Sequence, residues 1–217
     1  METINDFGWL RSARLRELGV SFTGSSLAEL GQLKGLTTLT LALGGSNITS
    51  LAELGQLKGL TMLTLDLRGS NITRLAELGQ LRGLTTLTLD LRGSKITSLA
   101  ELGQVKRLTT LTLASSPGPV IEGLGGSNIT SLAELGQLKG LTTLTLDLGG
   151  SNITSLAELG QLKGLTTLTL DLRYSKITSL APVGQLKSLT SAKLWVPLSL
   201  VPNLKIRANE VFVGCRL

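Results

Sequence analysis

Four aspartates that recur at one position of a repeated sequence are the residues whose type and spacing could do chemistry. Each lies at a predicted outward position of a strand, and neighbouring strands of a sheet are about 4.8 Å apart. Carboxylates held that close could share a proton for acid–base work or bind a cation. The column consists of Asp66, Asp90, Asp147 and Asp171.

The residues around this column argue against catalysis. Arg68, Arg92 and Arg173 each follow an aspartate of the column by two residues and point to the same face of the strand. Rows of acids flanked by bases are typical of an exposed surface, where each pair contributes little stability. The chain has no histidine, its single cysteine is Cys215, and its glycine-rich turns lack the order of a phosphate-binding loop. We therefore expect a protein that is not an enzyme, with no catalytic, metal-binding or cofactor-binding residues.

The strands that carry the column come from a sequence repeat. Residues 50–73 read SLAELGQLKGLTMLTLDLRGSNIT and return with few changes at six other points of the chain. Self-similarity at a period of 24 residues is typical of a stacked repeat protein. The seven copies begin at Ser26, Ser50, Arg74, Ser98, Ser131, Ser155 and Ser179.

Each copy has two halves with different periods. In the second half of the copy just quoted, Leu63, Leu65 and Leu67 alternate with polar residues, which predicts a strand with one buried face. In the first half the leucines recur at every third residue, which predicts a 3₁₀ segment or a short helix. Ser50 and Glu53 have the spacing of a capping box. One copy cannot bury its leucines alone, so we expect the copies to stack around a continuous core.

This pattern resembles the leucine-rich repeat family, whose core motif is L-x-L-x-x-N-x-I/L. The motif appears as Leu41-Ala-Leu43-Gly-Gly-Ser46-Asn-Ile48 and as Leu65-Asp-Leu67-Arg-Gly-Ser70-Asn-Ile72, with serine in place of the family's first asparagine. A buried serine can still bond backbone groups of the turn, although it offers fewer donors than asparagine. Residues 177–186 are similar to the short 3₁₀-type repeats of bacterial internalin-like proteins. The resemblance implies an α/β solenoid: a curved right-handed horseshoe with a parallel β-sheet on the concave face and short helical or 3₁₀ segments on the convex face.

The chain divides into three segments. We expect residues 1–25 to form an N-terminal cap with a degenerate first strand, and residues 26–196 to form the seven leucine-rich repeats. Residues 197–217 are expected to form a degenerate last strand and a C-terminal cap. Residues 115–123 interrupt the copy that begins at Ser98, and insertions of this kind map to loops, often on the binding face.

For the two ends of the chain, the sequence predicts individual secondary-structure elements. A short helix over residues 7–13 is expected to cover the open end of the core. In the copy at Ser179, Lys193 and Trp195 enter the strand, and we expect the regular spacing to end there. Residues 201–206 are the predicted last strand, which makes eight to nine parallel strands in all.

Binding is the function that the resemblance implies. Leucine-rich-repeat relatives commonly serve as interaction modules, so we expect a non-catalytic module for protein–protein interaction that uses the concave strand face and the loop at 115–123. Two alternatives stay open: a structural or self-assembling repeat scaffold, and a sensor fragment of a larger signalling protein. The predicted contact residues are Asp66, Arg68, Asp90, Arg92, Asp147, Asp171, Arg173 and Tyr174 on the strand face, and Pro117, Val120 and Ile121 in the loop.

Charge and hydropathy bear on partners and location. The net charge is +6, but lysine and glutamate recur at fixed repeat positions as solvated stripes, and aromatic residues for base stacking are lacking, so we expect no nucleic-acid partner. No apolar run reaches the ~18 residues of a membrane-spanning helix. Residues 1–20 lack the apolar centre of a signal peptide. We therefore expect a cytoplasmic protein that is monomeric or weakly self-associating, with a secreted mature form as the open alternative.

Overall fold

The protein has ten parallel strands in a single sheet, and alternating leucines form the buried face of most of them. The computed structural model describes residues 2–8, 15–113, 128–203, 208 and 210–214. Within these residues each strand pairs with the next one along the chain. The strands are β1 (Glu2–Ile4), β2 (Glu17–Phe22), β3 (Thr38–Ala42), β4 (Met62–Asp66), β5 (Thr86–Asp90), β6 (Thr110–Leu113), β7 (Thr143–Asp147), β8 (Thr167–Asp171), β9 (Ser191–Trp195) and β10 (Glu210–Gly214).

The segments between the strands are short 3₁₀ helices, as the spacing of the leucines predicts. The N–H of Leu57 donates to the carbonyl oxygen of Leu54 at 3.0 Å, which is the i to i+3 bond of this helix type. No helix among the described residues is long and apolar enough to cross a membrane. The 3₁₀ segments are Leu30–Gln32, Ala52–Gln56, Ala76–Gln80, Ala100–Gln104, Ala133–Gln137, Ala157–Gln161, Val183–Gln185 and Leu198–Asn203.

The core lies between the sheet and the layer of 3₁₀ segments. Leu63 and Leu65 on β4 are fully buried, and so are Leu54 and Leu57 on the opposite layer. Burial of one leucine side chain contributes about 1.5–3 kcal/mol, and the same positions are buried in every described repeat. The predicted solenoid, with a parallel sheet backed by 3₁₀ segments, is confirmed.

Side-chain hydrogen bonds tie each repeat to the next. The hydroxyl of Thr61 donates to the carbonyl oxygen of Thr37 at 3.2 Å, and Thr85 does the same to Thr61 at 3.0 Å. On the convex side, Nζ of Lys34 donates to Oε1 of Gln56 in the following repeat at 2.8 Å. The predicted stripe of lysines is therefore also a row of inter-repeat bonds. The threonines of the first ladder are Thr37, Thr61, Thr85, Thr109, Thr142, Thr166 and Thr190.

The predicted capping box does not form. The hydroxyl of Ser50 accepts a hydrogen bond from the N–H of Ala52, only two residues away, at 3.1 Å. The carboxylate of Glu53 accepts from the side-chain amide of Gln56 at 2.7 Å instead of reaching back to the backbone. The cause is the tight 3₁₀ geometry, because the helix begins at Ala52 and the serine is already outside it.

Both ends differ from the expectations. The ten strands exceed the predicted eight to nine, because β1 and β10 come from end segments without the alternating pattern. Phe7 is buried and its ring stacks on Phe22 with centroids 4.9 Å apart, while residues 9–13 of the expected helix lie outside the described residues. Of the strand expected at 201–206, residues 201–203 belong to a 3₁₀ segment and residues 204–207 lie outside the described residues. Pro202, which has no N–H to donate to a sheet, accounts for this difference.

The serines at the family's asparagine position form a buried column. The hydroxyl of Ser46 accepts a long bond of 3.5 Å from the N–H of Ile48, as the sequence predicts for the turn. Within the described part of the chain, the buried hydroxyls of Ser70, Ser94 and Ser151 have no hydrogen-bond partner. A buried polar group without a partner destabilises the folded state.

We expect the substitution Ser70→Ala to raise the free energy of unfolding by about 1 kcal/mol, because it removes a desolvated hydroxyl that makes no bond. The measurement is urea unfolding followed by circular dichroism, with the slope of the transition unchanged. The matched control is Ser50→Ala in the same repeat, which removes the bond to Ala52 and should lower stability by up to about 1 kcal/mol. A loss of stability in both variants would show that the Ser70 hydroxyl is satisfied in solution.

Candidate functional site

The outward side chains of the strands form straight columns across the sheet, which we call the concave face. The strands pair without a shift relative to the repeat, so Asp66 on β4 lies beside Asp90 on β5. In the same way Asp147 on β7 lies beside Asp171 on β8. The structure thus brings the four predicted aspartates together as two neighbouring pairs.

Arginines of the same repeats neutralise three of these aspartates. The backbone N–H of Arg68 donates to Oδ1 of Asp66 at 3.1 Å, and its Nη2 lies 2.6 Å from Oδ2. The Nε of Arg68 also lies 3.6 Å from Oδ2 of Asp90, so this arginine bridges two repeats. Arg92 binds Asp90 with an Nη2 to Oδ2 distance of 2.7 Å. The ion pairs of this kind are Asp66–Arg68, Asp90–Arg92 and Asp171–Arg173.

Asp147 differs, because the repeat has glycine at the arginine position. The N–H of Gly149 donates to Oδ1 of Asp147 at 3.1 Å, which is the same backbone bond as in the other repeats. The backbone hydrogen bond is therefore a property of the turn after each strand. In three of the repeats an arginine side chain adds an ion pair to it. The sequence feature that could have predicted this hydrogen bond is the aspartate two residues before the turn, which is a typical Asx-turn pattern.

Arg68 keeps Asp66 ionised. Burial alone would raise the pKa of Asp66, but hydrogen bonds from the side chain and backbone of Arg68 outweigh it, and the pKa of Asp66 is lowered. The pKa of Arg68 is raised, mainly because its guanidinium donates hydrogen bonds to the Asp66 carboxylate. The same cause raises the pKa of Arg92 and Arg173 beside their own aspartates.

This arrangement is suited to recognition of charge. A general base must be able to take a proton near neutral pH, whereas Asp66 is held ionised by bonds that already occupy its oxygens. Among the described residues, no group of three histidine, cysteine, aspartate or glutamate side chains could hold a metal ion. What remains is a row of positive and negative groups in fixed positions on one face.

Tyr174 stands out beside this row. Its side chain is 76% exposed, and its backbone has a φ of 58°, in the left-handed region that favours glycine. Four other repeats have glycine with positive φ at this position, namely Gly45, Gly69, Gly93 and Gly150. A tyrosine therefore occupies a strained turn at the edge of the concave face.

The remaining predicted contact residues cannot be placed in this face. Pro117, Val120 and Ile121 of the loop at 115–123 lie outside the described residues. Their role as contacts stays a prediction.

Sequence reasoning missed three residues of the concave face. Lys193 on β9 lies beside Thr169, and Trp195 lies beside Asp171, so both continue columns of the face. The expectation that the spacing ends in this copy was wrong, because each residue follows its column neighbour by 24 positions. Phe212 on β10 then lies beside Lys193. Strict alignment of the last copy at the repeat period would have found the lysine and the tryptophan.

We expect Arg68→Gln to lower the free energy of unfolding at pH 7 by no more than about 1 kcal/mol, because the guanidinium is half exposed. The folded-state pKa of Asp66 is lowered, so this stabilisation is present above the unfolded pKa of about 4 and is lost as the pH falls through the folded value. Urea unfolding at pH 7 and at a series of lower pH values should therefore show a difference from wild type at pH 7 that disappears as the pH falls through the lowered pKa of Asp66. The control Arg74→Gln removes the same charge from a residue with no ion pair in the described part of the chain, and an equal pH-dependent loss there would contradict this account.

We expect Tyr174→Gly to raise the free energy of unfolding by up to about 1 kcal/mol, because relief of the left-handed strain exceeds the added freedom of the unfolded chain. Thermal unfolding measures the change. The reciprocal control Gly150→Ala, at the equivalent position with a φ of 63°, should lower stability by about 1 kcal/mol. A fall in stability for Tyr174→Gly would mean that contacts of the tyrosine ring outweigh its strain.

Comparisons with known proteins agree with this architecture. No family model matches the sequence, and the search among curated proteins finds no similar sequence. Among solved structures, the chain is similar to internalin C2 of Listeria monocytogenes, with 25% identity and a TM-score of 0.67 over 93% of this chain and 80% of that one. It is also similar to internalin InlF of the same organism, with 21% identity and a TM-score of 0.67 over 95% of this chain.

The chain spans 57% of the length of the InlF structure. A third similar structure is the plant peptide hormone receptor RGFR1 in complex with RGF2, with 21% identity and a TM-score of 0.55 over 91% of this chain and 32% of that one. Ten parallel strands, repeated 3₁₀ segments and these neighbours agree with the motifs of the sequence. The chain folds as a curved leucine-rich-repeat solenoid similar to those of the internalins.

Proposed function

We propose that the protein is a non-catalytic module that binds another protein through its concave face, with the loop at 115–123 as a second contact. The observation that carries this proposal is the row of Asp–Arg pairs on the concave face. These side chains take no part in the leucine core, yet hydrogen bonds hold them in fixed positions. A partner would meet a patterned, pre-organised surface there.

Fixed charges of both signs are suited to selecting a partner. Complementary charges speed the encounter of two proteins and penalise wrong partners, and groups that are already ordered lose little entropy on binding. The Arg68 side chain is 53% exposed although it is bound to Asp66, so it still has donors to offer. The face is therefore suited to a partner with its own alternating charges.

The comparisons support a protein or peptide as the partner. The plant receptor, whose fold is similar, is seen in complex with RGF2. That complex supports a polypeptide ligand for this fold and does not identify the partner of this chain. The proposal keeps the expectations from the sequence: a module without enzymatic activity, monomeric or weakly self-associating, in the cytoplasm or as a secreted mature form.

We expect the fourfold variant with Asp66, Asp90, Asp147 and Asp171 each changed to Asn to lose a partner that wild type captures from the lysate of the source cell. Asn keeps an oxygen for the backbone bond of each turn and removes only the charge. Captured proteins are identified by mass spectrometry and their affinities measured with purified partner.

The matched control changes Glu53, Glu77, Glu134 and Glu158 to Gln, which removes the same charge from the convex side. Both fourfold variants must unfold at temperatures close to that of wild type before capture is compared. Loss of the partner by the concave variant alone supports the proposal, and equal loss by both variants contradicts it. A third variant with Pro117, Val120 and Ile121 changed to Ser measures the contribution of the loop.

A further inference from the structure

Exposed apolar side chains are concentrated at the C-terminal end of the solenoid. Among the described residues, four large apolar side chains are strongly exposed, and three of them are Tyr174, Leu198 and Phe212. The fourth is Met62 on β4. Elsewhere the outward columns consist mainly of threonine and aspartate. Exposed aromatic side chains are enriched at interaction sites.

Two aromatic rings at this end pack together on the concave face. Trp195 continues the aspartate column and Phe212 continues the threonine column beside Lys193. The ring centroids of Trp195 and Phe212 are 6.0 Å apart with an angle of 60° between the planes, which is a favourable edge-to-face arrangement. We call Lys193, Trp195 and Phe212 the aromatic platform.

A glycine fixes the position of the indole. Gly214 lies beside Trp195 in the sheet, and a Cβ built on Gly214 would lie 2.8 Å from Cδ1 of the indole. Any larger residue would push the ring away from this place, so the absence of a side chain lets Trp195 lie against β10. The rings are thereby ordered before a partner arrives, which lowers the entropy lost on binding.

The net positive charge of the sequence comes from its C-terminal segment. Residues 172–217 contain seven Lys and Arg against one Glu, so this segment has a net charge of +6. Residues 1–171 contain fourteen basic and fourteen acidic residues and are neutral overall. Lys193 is exposed on the platform, and no carboxylate of the described side chains forms an ion pair with it. An acidic partner is therefore drawn to the end that carries the rings.

We propose that the aromatic platform binds an acidic segment of a protein partner, with an aliphatic or aromatic side chain on the rings and a carboxylate at Lys193. The inference rests on the proposed function and names the chemistry of the segment that the concave face takes. A single-stranded nucleic acid also combines negative charge with flat rings. Among the described residues, however, the arginines of the concave face are already paired with its aspartates, so the face offers no run of free cations for a phosphate backbone to follow.

A displayed library of random peptides of about twelve residues, selected on the full chain, tests this inference. We expect the enriched peptides to place Asp or Glu next to Phe, Trp, Leu or Ile. Synthetic versions of the enriched peptides should bind the Trp195→Ser and Lys193→Glu variants at least roughly tenfold more weakly than wild type. Their affinity for the control variant Thr64→Ser, in the middle of the concave face, should change by less than about twofold. Lys193→Glu keeps the test valid if the partly buried tryptophan variant does not fold, because Lys193 is exposed and its substitution leaves the buried residues of β9 unchanged.

Each other outcome overturns the inference. Enriched peptides without acidic residues, or an affinity that Lys193→Glu leaves unchanged, would remove the platform from recognition. If oligo(dT) displaced a bound peptide at a lower concentration than the same free peptide does, the platform would be assigned to nucleic acid. Peptides that bind the Lys193→Glu variant but not the fourfold Asp→Asn variant would overturn this inference and leave the proposed function standing, whereas a library with no peptide enriched on the chain would count against both.

Discussion

A single repeat cannot bury its own leucines, and this constraint governs the rest of the structure. The sheet and the 3₁₀ layer close only when neighbouring repeats stack, so each repeat must present the same inward surface at the same spacing. The contact is close on the convex side as well, where a Cβ on Gly55 would lie 3.0 Å from the side-chain oxygen of Gln80. The stacking therefore favours a small residue at this position and apolar residues at the inward positions.

The same stacking decides where recognition can occur. Side chains that point inward are fixed by the core, so variation is possible only in the outward columns, the turns and the ends. Straight columns also bring like charges together, since Asp66 lies beside Asp90. Arg68 resolves that conflict because its guanidinium lies between the two carboxylates, 3.6 Å from the second one. The charged pattern of the concave face is thus a consequence of the repeat as much as a means of binding.

The period of the leucines was enough to predict the strands, the 3₁₀ segments and the two layers, because each period corresponds to one backbone geometry. Hydrogen bonds of single side chains could not be predicted in this way. The spacing of Ser50 and Glu53 fits a capping box, and only the start of the helix at Ala52 decides against it. The aromatic platform was not predicted for another reason. Lys193 and Trp195 differ from the residue types of the other copies and were interpreted as the end of the regular repeat, although they keep its 24-residue spacing.

Positions that depart from the repeat must therefore be interpreted separately from its regular positions. Tyr174 occupies a left-handed turn where other repeats have glycine, a conformation that costs about 1–2 kcal/mol for a residue with a side chain. A solenoid of many equal leucine interfaces has enough stability to tolerate such a loss in one repeat. Strain that is tolerated at a fully displayed aromatic side chain is typical of functional positions. The regular copies supply the stability, and the proposed platform lies in the irregular copies at the C-terminal end, where Lys193, Trp195 and Phe212 depart from the repeated residue types.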